Sequence, residues 1–125
     1  YIVINNPTSS IRPLMDGFLH SQDYDSRMFV TSHEAKEIVD DNTVVVVVDT
    51  NRPSYTECED LLYMTKTIVV LDHHRQNKDI IQNAVLSYIE PYASSACEMV
   101  AEILQYFPMV SGSGISKRTA CMRVS

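Results

Sequence analysis

The apolar residues of the chain come in short runs of two kinds. "TVVVVVD" (43–49) and "TIVVLD" (67–72) run apolar and mostly β-branched into a final aspartate. Such unbroken runs predict central strands of a parallel sheet, buried on both faces. "YIVIN" (1–5), "SRMFV" (26–30) and "VLSYI" (85–89) predict shorter strands. Between them the spacing becomes helical. Ile11, Leu14, Met15, Phe18 and Leu19 fall on one face of a helix over 9–20. Ala96, Met99, Val100, Ile103, Leu104 and Phe107 share one face of a helix that runs to about 107. Three Ser/Thr-x-x-Glu patterns mark helix starts: Thr31 with Glu34 for a helix over 32–40, Ser54 with Glu57 for one over 55–63, and Ser95 with Glu98 for the last.

Strands that alternate with helices through short links predict an α/β fold: a doubly wound, mainly parallel sheet with flanking helices. Ligands of such sheets sit outside the carboxyl ends of the strands. Asp49 and Asp72 stand at two of those ends. The greasy segments are therefore sheet core, and the polar residues behind them reach the rim where sites form. The final stretch, 108–125, is Ser/Gly-rich and then basic, without periodicity. It predicts a linker or poorly ordered tail and places the folded unit at 1–107.

Composition narrows the function classes. A chain of 125 residues fits one small domain or part of a larger one. The formal net charge of −6 excludes a general affinity for polyanions, so no duplex nucleic acid is expected as a partner. A phosphate-bearing ligand then needs local cations, a metal or a helix N-terminus. Cys58, Cys97 and Cys121 are odd in number and widely spaced, which favours reduced thiols over a disulfide framework. Cys97, with no histidine partner in its own segment, is expected to be a buried structural thiol. No apolar run approaches the roughly 20 residues of a membrane helix. The opening "YIVINNP" lacks the basic region of a signal peptide and reads as the middle of a strand, as if the chain began inside a domain.

Three segments carry chemistry. In Asp72-His73-His74-Arg75, adjacent histidines beyond a strand point in different directions, so one can bind a metal while the other faces a substrate. Asp72 is placed to orient one imidazole from behind, and Arg75 offers a fork for phosphate oxygens. The plainer reading is a solvated polar turn. In Asp49-Thr50-Asn51-Arg52-Pro53, the carboxylate is a hard oxygen ligand, and Asn51 and Arg52 are candidates for holding phosphate or sugar oxygens. The plainer reading makes Asp49 a turn cap. "EPYASSACE" (90–98) sets Ser94 and Ser95 at a helix N-terminus with free N–H groups, which suits a phosphate or simple N-capping. His20 and His33 near helix ends read as solvated, and Asp40-Asp41 as a loop.

Taken together, "VVVVVDTNRPS", "TIVVLDHHR" and "YIEPYASSACEMVAEILQYF" resemble the DHH phosphoesterase family, and within it the cyclic-di-AMP phosphodiesterases of the GdpP/YybT type, over about residues 1–107. The resemblance implies a Rossmann-like DHH domain with a two-metal centre, usually of Mn2+. Asp49 would bridge the metals, His73 would ligate one, and His74 and Arg75 would face the scissile phosphate. A metal-bridging hydroxide would attack phosphorus and open the cyclic dinucleotide to a linear one, c-di-AMP to pApA. It further implies a homodimeric parent anchored in the bacterial membrane, with this domain in the cytoplasm. Other members act on short oligonucleotides or pyrophosphate: oligoribonucleases, RecJ-like exonucleases and pyrophosphatases. A non-catalytic nucleotide-binding module is the alternative of another class. The pattern is incomplete. The family's HxDxD metal motif does not occur, 108–125 holds no aspartate, and position 51 is Asn where relatives often carry His. This chain alone is therefore expected to be inactive.

Overall fold

In a computed structural model, residues 1–106 and 119–123 are described. Their elements follow the order β1 (Ile2–Val3), α1 (Arg12–Leu19), β2 (Phe29–Val30), α2 (Ser32–Ile38), β3 (Val44–Val48), α3 (Leu61–Met64), β4 (Thr67–Asp72), β5 (Leu86–Ile89), α4 (Ala96–Leu104) and β6 (Thr119–Arg123). The strands of the described residues form one sheet in the order β2-β1-β6-β3-β4-β5, and every pairing is parallel. The α/β architecture is the expected one. From β1 the chain winds outward to β2, and from β3 it winds the other way to β4 and β5. The winding therefore reverses between β1 and β3, and the carboxyl end of β3 lies beside that switch.

The valine run makes β3 because β-branched side chains pack well on a pleated surface. Its burial alternates: Val45 and Val47 are fully buried, whereas Val44, Val46 and Val48 are only partly covered. Equal burial on both faces was expected, and for β3 one face is the better covered. Val45 and Val47 join Val3, Ile68 and Val70 from the sheet, Ala35 of α2 and Leu61 and Leu62 of α3 in the main core. Each buried Val, Leu or Ile among them contributes about 1.5–3 kcal/mol. Leu71, Ala96 and Met99 are buried outside that cluster, and α4 packs on β4, so α4 covers the opposite face.

Of the three expected capping boxes, one forms completely. Thr31 Oγ1 accepts from Glu34 N (3.3 Å), and Glu34 Oε2 accepts from Thr31 N (2.7 Å). At α4, Ser95 Oγ accepts from Glu98 N (3.2 Å), but Glu98 turns its carboxylate to Ser94. The helix expected over 55–63 is replaced by a 3-10 turn, Pro53–Tyr55, and the short α3. Glu57 has a stronger engagement elsewhere. Its Oε2 accepts from Asn5 N (3.2 Å) and Nδ2 (3.0 Å). Its carbonyl accepts from Asn5 Nδ2 (2.8 Å) and Ser32 Oγ (3.0 Å), while Asn5 Oδ1 accepts from Ser32 N (2.8 Å). These bonds tie the end of β1, the start of α2 and the loop after β3 together.

Two further expectations are corrected. Cys97 is exposed, whereas Cys58 is buried. On α4 the sheet-facing positions are Ala96 and Met99, and one step along a helix turns Cys97 about 100° away from them. The stretch 108–125 was read as a linker or tail, yet Thr119–Arg123 is a strand between β1 and β3, with Cys121 opposite both Ile2 and Val46. Its basic, Ser/Gly-rich surroundings hide a strand whose backbone pairs on both sides. Residues 108–118 and 124–125 of that stretch lie outside the described residues. No helix among the described residues is long and apolar enough to cross a membrane.

Candidate metal centre

The rim at the carboxyl ends of β3 and β4 gathers the polar residues that follow the two apolar runs. Register pairs Val48 with Leu71, and Asp49 N donates to Leu71 O (2.9 Å). Asp49 and the Asp72-His73-His74 segment are thus set side by side by the ladder itself. Asp49 takes a left-handed backbone conformation, φ 69°. Few non-glycine residues adopt it, although aspartate does so more readily than most. The turn leaves the carboxylate 46% exposed, and Oδ1 lies 3.2 Å from His73 Nε2.

Asp72 has the opposite environment. It is fully buried, and its carboxylate is saturated. Oδ1 accepts from His73 N (2.8 Å), His74 N (3.2 Å) and His74 Nδ1 (2.7 Å), and Oδ2 accepts from Asn51 Nδ2 (2.6 Å). The two imidazoles lie with centroids 4.4 Å apart and planes tilted by 48°. Ligand atoms of Asp49, His73 and His74 all fall within 4.8 Å of one another. A hard oxygen and two imidazole nitrogens form a donor set that suits a divalent transition ion, with positions left for water or substrate. His74, read from sequence as a substrate-facing residue, thus belongs to the same metal-capable group as Asp49 and His73.

The other sequence candidates separate. Asn51 is 4% exposed and turned inward onto Asp72, not outward to a ligand. Arg52 stands at the rim with its guanidinium 5.2 Å from the Tyr55 ring centre and Nη1 3.4 Å from the hydroxyl. Arg75 is exposed and makes no hydrogen bond or ion pair with the described residues. Ser94 is engaged by its helix: its N–H (3.0 Å) and hydroxyl (2.6 Å) both donate to Glu98. That carboxylate is held below its ordinary 4.5 by the Ser94 hydroxyl first and the Ser94 amide second. An anion already occupies this helix start, and Ser95 caps it. The plainer N-capping reading therefore describes Ser94 and Ser95.

Two residues of the site region escaped the sequence reading. Tyr55 supports Arg52, and the spacing of the tyrosines held no signal for it. Ile81 N donates to Asn51 O (2.9 Å) and pins the loop behind the site, a long-range contact that no local pattern encodes.

The DHH family N-terminal domain matches residues 8–122. The chain is 43% identical over 110 residues to the cyclic-di-AMP phosphodiesterase GdpP of Bacillus subtilis, covering 86% of this chain and 16% of that protein. It is 46% identical over 79 residues to GdpP of Geobacillus thermodenitrificans, with 63% of this chain and 12% of the relative covered. It is 39% identical over 93 residues to the cyclic-di-AMP phosphodiesterase PdeA of Listeria monocytogenes, covering 74% and 14%. The chain spans less than a fifth of these relatives. With the match running along most of its length, and the Asp-His-His segment standing at a strand end beside Asp49, the chain belongs to the DHH family.

Proposed function

We propose that this chain is part of a metal-dependent phosphodiesterase that opens a cyclic dinucleotide, c-di-AMP to pApA. The observation that carries the reading is the convergence of Asp49, His73 and His74 at the ends of two adjacent parallel strands. The similarity to proteins named as cyclic-di-AMP phosphodiesterases supports the substrate class. Asp49 and His73 hold the ion, for which Mn2+ is the proposed identity. When bound, it supplies Lewis-acid activation of water and neutralises charge on the phosphate. His74, its Nδ1 held by Asp72, is proposed to face the scissile phosphate. Arg52 and Arg75 supply the cations that a molecule of net charge −6 needs to attract a phosphodiester. The domain is proposed to be cytoplasmic in a membrane-anchored, homodimeric parent.

Asp49 and His73 provide only part of the ligand set of a two-metal centre, so this chain alone is proposed not to turn over substrate. Calorimetric titration with Mn2+ tests the site: the chain binds the ion, and Asp49→Ala removes that binding. Equal binding by both proteins sinks the metal assignment. Turnover of c-di-AMP by the purified chain with Mn2+, free of contaminating enzyme, sinks the claim of inactivity.

A further inference from the structure

We infer that Asn51 is a positioning residue, acting through Asp72 to fix the imidazole of His74. Four contacts converge on the Asp72 carboxylate, and three come from the two residues that follow it in the chain. The fourth, Asn51 Nδ2 at 2.6 Å, is the only side-chain donor from another strand end among the described residues. It occupies Oδ2 and leaves Oδ1 to His74 Nδ1. A carboxylate oxygen only accepts, so the proton of this contact sits on His74 Nδ1.

The amide orientation is set by the same contact. Reversed, it would press Asn51 Oδ1 against a carboxylate oxygen. In the orientation present, Asn51 Oδ1 is buried and has no hydrogen-bond partner. Buried polar groups are almost always paired, and an exception calls for an explanation. The arrangement gives up a partner for the amide oxygen while keeping the amide N–H on Asp72. The Asn51 backbone is held as well, its carbonyl accepting from Ile81 N at 2.9 Å. A residue built to touch substrate would present both amide atoms to the opening. Asn51 is buried and faces Asp72.

The consequence for catalysis rests on the phosphodiesterase reading, but the contact can be tested without it. The probe is the 15N–1H correlation spectrum of the histidine rings, recorded on the uniformly labelled chain at neutral pH with no metal or substrate added. Wild type is expected to show His74 as a single tautomer protonated at Nδ1, with slow exchange of that proton. Asn51→Leu removes the donor. The expected result is a mixture of His74 tautomers and about a tenfold faster ring N–H exchange, the scale of losing a hydrogen bond in a charged network. His20 and His33, both exposed, serve as internal references and stay unchanged. Asn51→His, which restores a ring N–H donor, is expected to recover the single tautomer.

A folded Asn51→Leu protein with an unchanged His74 spectrum overturns the inference, as does a wild type with mixed tautomers. If Asn51→Leu fails to fold, Asn51→His decides: a single Nδ1-protonated His74 supports the role, and mixed tautomers in the folded variant overturn it. Mn2+ binding is measured separately, so the metal reading and this one fail independently.

Discussion

At the residue scale, the two aspartates that end the apolar runs do different work because their backbones differ. Asp49 leaves its strand in a left-handed turn with an accessible carboxylate, whereas Asp72 continues the strand and is sealed beneath His73 and His74. The left-handed conformation costs an L-residue roughly 1–2 kcal/mol. Asp49→Ala keeps that cost, and Asp49→Gly removes it. Both variants are expected to lose Mn2+ binding, with the glycine protein more stable to urea by about 1 kcal/mol. Equal midpoints would show that the turn carries no strain. Sequence placed Asp49, Asp72, His73 and His74 at the rim, because a charged residue closing an apolar run is visible without coordinates. It did not show that Asn51 turns inward onto Asp72 or that Ser94 bonds Glu98 while Ser95 caps the helix. Whether a polar side chain faces out or in depends on its neighbours across the sheet, and Asn51 meets Asp72 only because β3 and β4 are adjacent.

At the element scale, local signals served best where local contacts decide. α2 begins at its Thr31–Glu34 box because both bonds of that box are intrahelical. The Ser54–Glu57 box was outcompeted by Asn5 and Ser32, partners from distant parts of the chain. Asn5→Ala removes the two bonds that the Asn5 side chain donates to Glu57 and the oxygen that accepts from Ser32 N, and is expected to destabilise the fold by roughly 1–3 kcal/mol. Thermal unfolding followed by circular dichroism measures it; a change within error would show the network to be superficial. The helix starts also respond to acid. Glu98, bonded by Ser94, and Glu34, bonded first by the Thr31 amide and then by its hydroxyl, are both held below 4.5. A depressed carboxyl stabilises above its unfolded value and loses that contribution as pH falls through the lower folded one. The amide resonances of Thr31 and Ser94 are therefore expected to titrate with midpoints below 4.5. A midpoint at or above that value contradicts the contacts.

At the scale of the whole molecule, a ligand that binds only the folded chain stabilises all of it. Mn2+ at about 100 times its Kd is expected to add about 2.7 kcal/mol, read as a raised unfolding midpoint that Asp49→Ala abolishes. The sheet also has a seam. β6 pairs with β1 on one side and β3 on the other, and Cys121→Pro, which deletes a backbone donor in mid-sheet, is expected to lower the midpoint sharply. An unchanged midpoint would remove β6 from the core of the fold.

The position of β6 has a kinetic meaning. The β1–β2 and β3–β4–β5 units are made of neighbours in the chain, but the strand that joins them follows all the others, and Ile2 meets Cys121 across nearly the full sequence. Loop closure of that length is slow, and until it happens β1 and β3 each present an unpaired edge. During synthesis the halves can form early while the rim beside β3 waits for its neighbouring strand. The window between those events is when the chain is most open to pairing with another copy of itself. Completing the seam ends that exposure and brings the two halves of the rim into one piece.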